Sequence, residues 1–153
     1  MGRAFGKKIK KDGGRVFVLT GDGEMAEGSI WEALLIAKKL KLDNLILLVD
    51  SNKYGACYST KEMVNFDEKS LKLKLEAFDF KAIILNGHDE EDLKKIKKIT
   101  PGLNAIILNT IKGKGLYFLE ESHLHGFNFF YEPEKYVEAM KLLRGSEENV
   151  GKN

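Results

Sequence analysis

Two side chains in this sequence have the type and spacing to act on a charged ligand. Asp22 stands between Gly21 and Gly23, and Asn52 follows thirty positions later. Glycines on both sides of an acid permit a tight turn and let the main chain approach a ligand where a β-carbon would intrude. A carboxylate and an amide oxygen are hard ligands. With a backbone carbonyl they form part of the oxygen shell taken by Mg²⁺ (or Ca²⁺), which phosphate oxygens and water complete. No Lys-Ser or Lys-Thr follows the glycines, which excludes the phosphate loop of the nucleotide triphosphatases. Gly-Asp-Gly alone is equally compatible with a plain strand-to-helix turn.

The elements around these residues decide whether they can meet. Val16-Phe17-Val18-Leu19 and Leu45-Ile46-Leu47-Leu48-Val49 are uninterrupted apolar runs and read as buried parallel strands. Between them, Ile30, Ala33, Leu34, Ala37 and Leu40 recur at helical spacing, predicting a helix over about 28–40. Trp31, Leu35 and Ile36 widen its apolar face, so cover on more than one side is expected. A right-handed strand–helix–strand crossover places both strand ends on one side of the sheet, and with them Asp22 and Asn52. Residues 53–69 read as a loop and about 71–78 as a short helix. Residues 81–85 form a third strand, Asn86-Gly87-His88-Asp89 a turn, 90–98 a helix and 104–109 a fourth strand. Pro133 opens a last helix that ends near Arg144-Gly145. This alternation predicts an α/β fold, a doubly wound, mostly parallel sheet with helices on both faces. One domain over 1–145 and a flexible tail over 146–153 are expected.

Composition narrows the function classes. A length of 153 residues suits one domain with a substantial core. A formal charge of +2 is too small to point to nucleic acid or an anionic membrane surface. A single cysteine, Cys57, excludes an internal disulfide and fits a reducing, cytoplasmic setting. No apolar run approaches the length of a membrane span. His123 and His125 form a His-x-His pair, but too few further ligands accompany it for a zinc site.

The residues around Asp22 extend the argument. Gly-Asp-Gly followed by an Asn some thirty positions on resembles the thiamine diphosphate motif. The string Gly21-Asp22-Gly23-Glu24-Met25-Ala26-Glu27-Gly28-Ser29-Ile30-Trp31-Glu32-Ala33 is similar to the transketolase branch of that superfamily. The likeness continues through Lys41-Leu42-Asp43-Asn44-Leu45, Asn86-Gly87-His88-Asp89, Thr110-Ile111-Lys112-Gly113-Lys114-Gly115 and His125-Gly126. It implies the diphosphate-type domain of the thiamine diphosphate-binding fold. It also implies that residues 1–14 correspond to the end of a longer helix, so that the chain is truncated relative to the family at its N-terminus.

The resemblance assigns roles residue by residue. Gly21, Asp22, Gly23, Glu24, Asn52, Tyr54, Ala56 and His125 would contact thiamine diphosphate, with Asp22, Asn52 and the Tyr54 backbone carbonyl on the metal. Glu27 would join a hydrogen-bonded network at the dimer interface, and His125 would reach the diphosphate or the substrate; both are the catalytic candidates. Glu27 is also read simply as an acid at a helix N-terminus. Two departures stand out. Leu124 precedes His125 where the family commonly has Trp, and Ala56 replaces a bulky aliphatic that packs on the cofactor.

Thiamine chemistry also needs a glutamate on the aminopyrimidine ring, supplied by a second, pyrimidine-type domain. These 153 residues contain no second glycine-rich α/β unit. The expectation is therefore one half of a split transketolase-like transferase that moves two-carbon ketol units between sugar phosphates. It is expected to be inactive without a pyrimidine-domain partner, and to form a homodimer or heterotetramer with no nucleic acid or membrane involved. The face carrying Glu27, Ile30, Trp31 and Leu34 is the expected interface, with Trp31 as anchor. Alternatives are one component of a 2-oxoacid dehydrogenase or decarboxylase type of thiamine enzyme, or a non-catalytic interaction module. The donor and acceptor sugars are not legible.

Overall fold

The computed structural model describes residues 1–55, 58–64, 66–120 and 132–150, the last six by their backbone alone. The chain divides into two units, Met1–Thr110 and Ile111–Asn153. The first is built on four parallel strands, β1 (Val16–Gly21), β2 (Leu45–Ser51), β3 (Lys81–Asn86) and β4 (Asn104–Asn109). Their spatial order is β1-β2-β4-β3, so β4 inserts between β2 and β3. The helices of this unit are α1 (Gly2–Ile9), α2 (Gly28–Lys39), α3 (Thr60–Met63), α4 (Glu68–Ala77) and α5 (Glu90–Lys97), with one 3₁₀ turn at Glu24–Ala26.

The expected α/β sheet with helices on both faces is what forms. Period-2 alternation along the strands decides which side chains meet which layer. Leu47, Val49, Ala82, Ala105 and Ile107 face one layer, where they pack with Ala4 of α1, Leu34 and Ala37 of α2, and Leu71 and Leu75 of α4. Ile46, Leu85 and Ile106 face the other, against Ile96 of α5 and Ile99. The sides follow from crossover handedness. Steps from β1 to β2 and from β2 to β3 run one way across the sheet, and the step from β3 back to β4 runs the other way. Right-handed connections then put α2 and α4 on one face and α5 on the opposite one.

Differences from the sequence expectation are local. Strand β1 is not buried on both sides: Phe17 is 46% and Leu19 65% exposed, because β1 is an edge strand and α5 packs on the strands further across that face. On α2, Leu35 and Ile36 are exposed, so the widened apolar face is not covered there. Residues 53–69 hold more structure than a loop. Ser59 and Glu62 form a capping box at α3, and Asp67 caps α4 with Ser70, so that helix begins three residues earlier than expected.

Helices α1, α2 and α4 each end on a non-glycine residue at positive φ, Lys11 (54°), Lys41 (49°) and Asp79 (63°). Paired backbone bonds close each end. The amide of Leu42 reaches Ala37 O at 3.0 Å and that of Lys41 reaches Lys38 O at 3.0 Å, the Schellman arrangement.

The second unit contains α6 (Tyr117–Glu120) and α7 (Pro133–Val150). The Tyr117 hydroxyl and Glu138 are 2.6 Å apart, and Lys135 lies 3.1 Å from the same carboxylate. Helix α7 runs to Val150, beyond the end expected near Gly145. No helix among the described residues is long and apolar enough to cross a membrane.

Candidate functional site

The site lies at the C-terminal ends of β1 and β2, where open parallel sheets receive ligands. The ladder continues one step past β1. The Asp22 amide donates to Asp50 O at 3.0 Å, which fixes Asp22 beside the end of β2. Its side chain is buried, at 1% exposure. One carboxylate oxygen, Oδ2, accepts from the Lys53 backbone N–H at 2.8 Å and lies 3.5 Å from Thr60 Oγ1. The other, Oδ1, is buried without a partner. Among the described residues only Asn44 Oδ1, a neutral amide oxygen just before β2, shares that condition. Burial pushes the Asp22 carboxyl above its ordinary range, against the pull of the Lys53 and Gly23 amides and of the Lys53 charge.

Asn52 is held in one orientation. Its Nδ2 donates to Asp50 Oδ2 at 2.8 Å, and its Oδ1 accepts from the Tyr54 amide at 2.9 Å. Asp50 is held in turn by the Thr110 hydroxyl. An amide oxygen has two lone pairs, so one of those on Asn52 Oδ1 remains for a further contact. Tyr54 forms an antiparallel bridge with Ser59, and its carbonyl lies 3.6 Å from where a β-carbon on Gly23 would stand. The loops after β1 and β2 therefore touch. Asp22, Asn52 and Tyr54, expected as the metal set, are brought to one place.

The glycines act differently from expectation. Gly23 has an ordinary helical φ of −63°. What it provides is room, since a β-carbon there would stand 2.8 Å from the Gly55 Cα. At Gly21 an added β-carbon meets nothing closer than Glu24 Oε2 at 3.7 Å. Glu24 turns back on its own strand, accepting from the Gly21 amide at 2.7 Å.

Glu27 is the N-cap residue of α2, exposed, and its side chain makes no capping bond. Trp31 is spent inside the unit: Nε1 donates to Met25 O at 2.8 Å, and the ring lies 5.1 Å from that of Phe78. Leu34 is buried in the same core. The anchor expected for a partner is thus part of this chain's own packing. Ala56 and His125 lie outside the described residues, as do Cys57 and His123.

Sequence reasoning missed Asp50, Lys53 and Thr60. Thr60 is 1% exposed, and its amide donates to Lys53 O at 2.9 Å while its hydroxyl faces Asp22. Capping signals at Ser59-x-x-Glu62 and Asp67-x-x-Ser70 were available to place these loops. No local signal marks the long-range bonds.

The donor set fits a hard divalent cation. Asp22 presents a buried, unpartnered carboxylate oxygen, and Asn52 and Tyr54 add neutral oxygens. Among the described residues no group of three or more His, Cys, Asp or Glu could hold a metal ion. One charged ligand with neutral oxygens suits a cation that arrives with its own phosphate oxygens.

Fold and site together define a parallel α/β domain that binds a metal-bridged phosphate at two adjacent strand ends. Residues 6–130 match the family described as transketolase, thiamine diphosphate binding domain. Human transketolase is 38% identical over 117 residues, covering 76% of this chain and 18% of the human protein. One of the separate subunits of the apulose-4-phosphate transketolase of Actinobacillus succinogenes is 40% identical over 116 residues, covering 72% of this chain and 41% of that protein. The crystal structure of transketolase from Campylobacter jejuni superposes with a TM-score of 0.70 at 30% identity, over 80% of this chain and 20% of that one. The chain belongs to the transketolase family, in the part that carries the thiamine diphosphate-binding domain. It spans less than half the length of each of these relatives.

Proposed function

We propose that this chain is the diphosphate- and Mg²⁺-binding half of a split transketolase-like enzyme, which transfers two-carbon ketol units between sugar phosphates once a separate pyrimidine-domain chain joins it. The observation that carries the reading is the buried, unpartnered Oδ1 of Asp22 beside the oriented amide of Asn52. A buried carboxylate oxygen without a partner costs stability, and a cation offsets that cost. The similarity to two proteins named as subunits of apulose-4-phosphate transketolase, from Actinobacillus succinogenes and Phocaeicola vulgatus, supports the split.

Asp22, Asn52 and the Tyr54 carbonyl would hold the cation, and Gly21 and Glu24 would border the diphosphate. Thiamine diphosphate, when bound, supplies the carbanion-stabilising chemistry. The protein's part here is to exclude water around Asp22 and to fix the Asn52 oxygen through Asp50 and Thr110. Glu27 and His125 are the proposed catalytic contributors from this chain, Glu27 through an interface network and His125 toward diphosphate or substrate. A cytoplasmic setting and assembly into a homodimer or heterotetramer complete the proposal.

Calorimetric titration with thiamine diphosphate, with and without Mg²⁺, tests it on wild type and Asp22→Ala. Binding should require Mg²⁺ and be lost in the variant; binding indifferent to both overturns the metal assignment. A coupled ketol-transfer assay tests the split. Turnover by the purified chain alone, above the cofactor-only background, overturns it.

A further inference from the structure

Four non-glycine residues among those described adopt positive φ. Lys11, Lys41 and Asp79 terminate helices, where that conformation is usual. The fourth, Lys53, has φ 74° and sits between Asn52 and Tyr54, inside the proposed metal loop. A left-handed non-glycine residue persists only where its surroundings over-determine it. Here they do. Its amide donates to Asp22 Oδ2 at 2.8 Å and its carbonyl accepts from the Thr60 amide at 2.9 Å. Its ammonium reaches Ser51 O at 3.0 Å and Asn109 Oδ1 at 2.9 Å, and forms an ion pair with Glu68. One side chain thus ties the end of β2 to the end of β4 and to the first turn of α4.

We infer that Lys53 is a positioning residue for the cation site: its ammonium fastens the 52–54 loop to β4 and α4, so that the Asn52 oxygen and the Tyr54 carbonyl stay aimed alongside Asp22. The inference rests on the metal reading above. Its signature is a sign. Lys53 is a cation beside a cation site, so its charge alone opposes metal binding, and removing it should tighten binding if charge were its whole effect. A positioning role predicts the reverse. Outer residues that orient ligands typically carry roughly 10–100-fold in metal affinity.

The test is Mn²⁺ binding to the full chain with thiamine diphosphate present, followed by electron paramagnetic resonance of free and bound Mn²⁺. Lys53→Met should weaken binding about tenfold. Lys53→Gly relaxes the positive φ but removes the same tie, and should be weakened to the same degree. Asn109→Ala changes no charge and should weaken binding about threefold, with a broadened bound-Mn²⁺ spectrum. Lys38→Met, which breaks the surface pair with Asp79 at the far end of α2, should leave the affinity unchanged. Circular dichroism confirms that each variant folds. Unchanged or tighter binding in folded Lys53→Met and Lys53→Gly overturns the positioning role. Failure of wild type to bind Mn²⁺ at all overturns the metal reading instead.

Discussion

Two turns in the first unit are built from similar residues and come out differently. The turn after β1 is Gly21-Asp22-Gly23, and the turn after β3 is Asn86-Gly87-His88-Asp89, closed by Asp92 of α5. In the second, Asn86 Oδ1 accepts from the His88 amide at 3.0 Å, Asp89 caps α5, and Asp92 accepts from the Asn86 amide at 2.8 Å and pairs with Lys95. Those bonds hold the Asp92 carboxyl below its ordinary range, Lys95 first and the Asn86 amide next. In the first turn, burial moves Asp22 the other way and leaves Oδ1 alone. One turn closes on itself, and the other keeps an oxygen in reserve. Glycine and acid in a strand-to-helix turn do not make a site; an unmet bond does.

The largest expected effect is at Asp22. Asp22→Asn should remove Mg²⁺-dependent thiamine diphosphate binding, a loss of at least about 100-fold. It should also raise the melting temperature of the ligand-free chain, by roughly 3 °C for about 1 kcal/mol, because a neutral amide costs less to bury than a carboxylate with an unmet oxygen. Calorimetry and thermal melts read the two effects. A variant that keeps metal-dependent binding, or melts well below wild type, breaks the contrast between the turns.

Next comes the room that Gly23 leaves for Gly55. Gly23→Ala sets a β-carbon against main chain that cannot swing aside, and should cost about 2 kcal/mol, in the range for overpacking. Gly21→Ala meets only a side-chain oxygen at 3.7 Å and should leave stability within about 0.5 kcal/mol of wild type. Denaturant unfolding of the pair decides whether the two glycines are interchangeable.

The smallest effect is a pH dependence in the closed turn. Asp92's folded value lies below its unfolded one, so its stabilisation is present above 3.8 and is lost as the pH falls through the folded value. Asp92→Asn should therefore melt slightly below wild type near neutral pH, with the gap narrowing on acidification below that value. A gap that is constant with pH assigns the loss to packing, not charge.

What could be read from the sequence follows from how local each cause is. The apolar runs 16–19 and 45–49 and the helix between them fix the crossover, and the crossover alone places Asp22 near Asn52. That pairing was legible. The exposure of Phe17 and Leu19 was not, because the composition of an edge strand does not say which helix lies over its outer face. The α3 and α4 caps carried a sequence signal in Ser59, Glu62, Asp67 and Ser70. The Lys53–Asn109 bond spans 56 residues and depends on β4 lying beside β2, so no window of sequence around Lys53 contains it.

The strand order β1-β2-β4-β3 also bears on how the molecule is made. Strand β3 emerges from synthesis before β4, yet its ladder partner is β4. Until residue 109 is available, β3 can be held near β2 only by α4 packing, with its hydrogen-bonding edges open. The sheet cannot grow strand by strand in order of synthesis; it closes when β4 enters a gap already flanked on both sides. Folding through such a late, non-local step is slow relative to hairpin-by-hairpin growth. A chain that stops before β4 would carry an unpaired strand rather than a smaller version of the same domain.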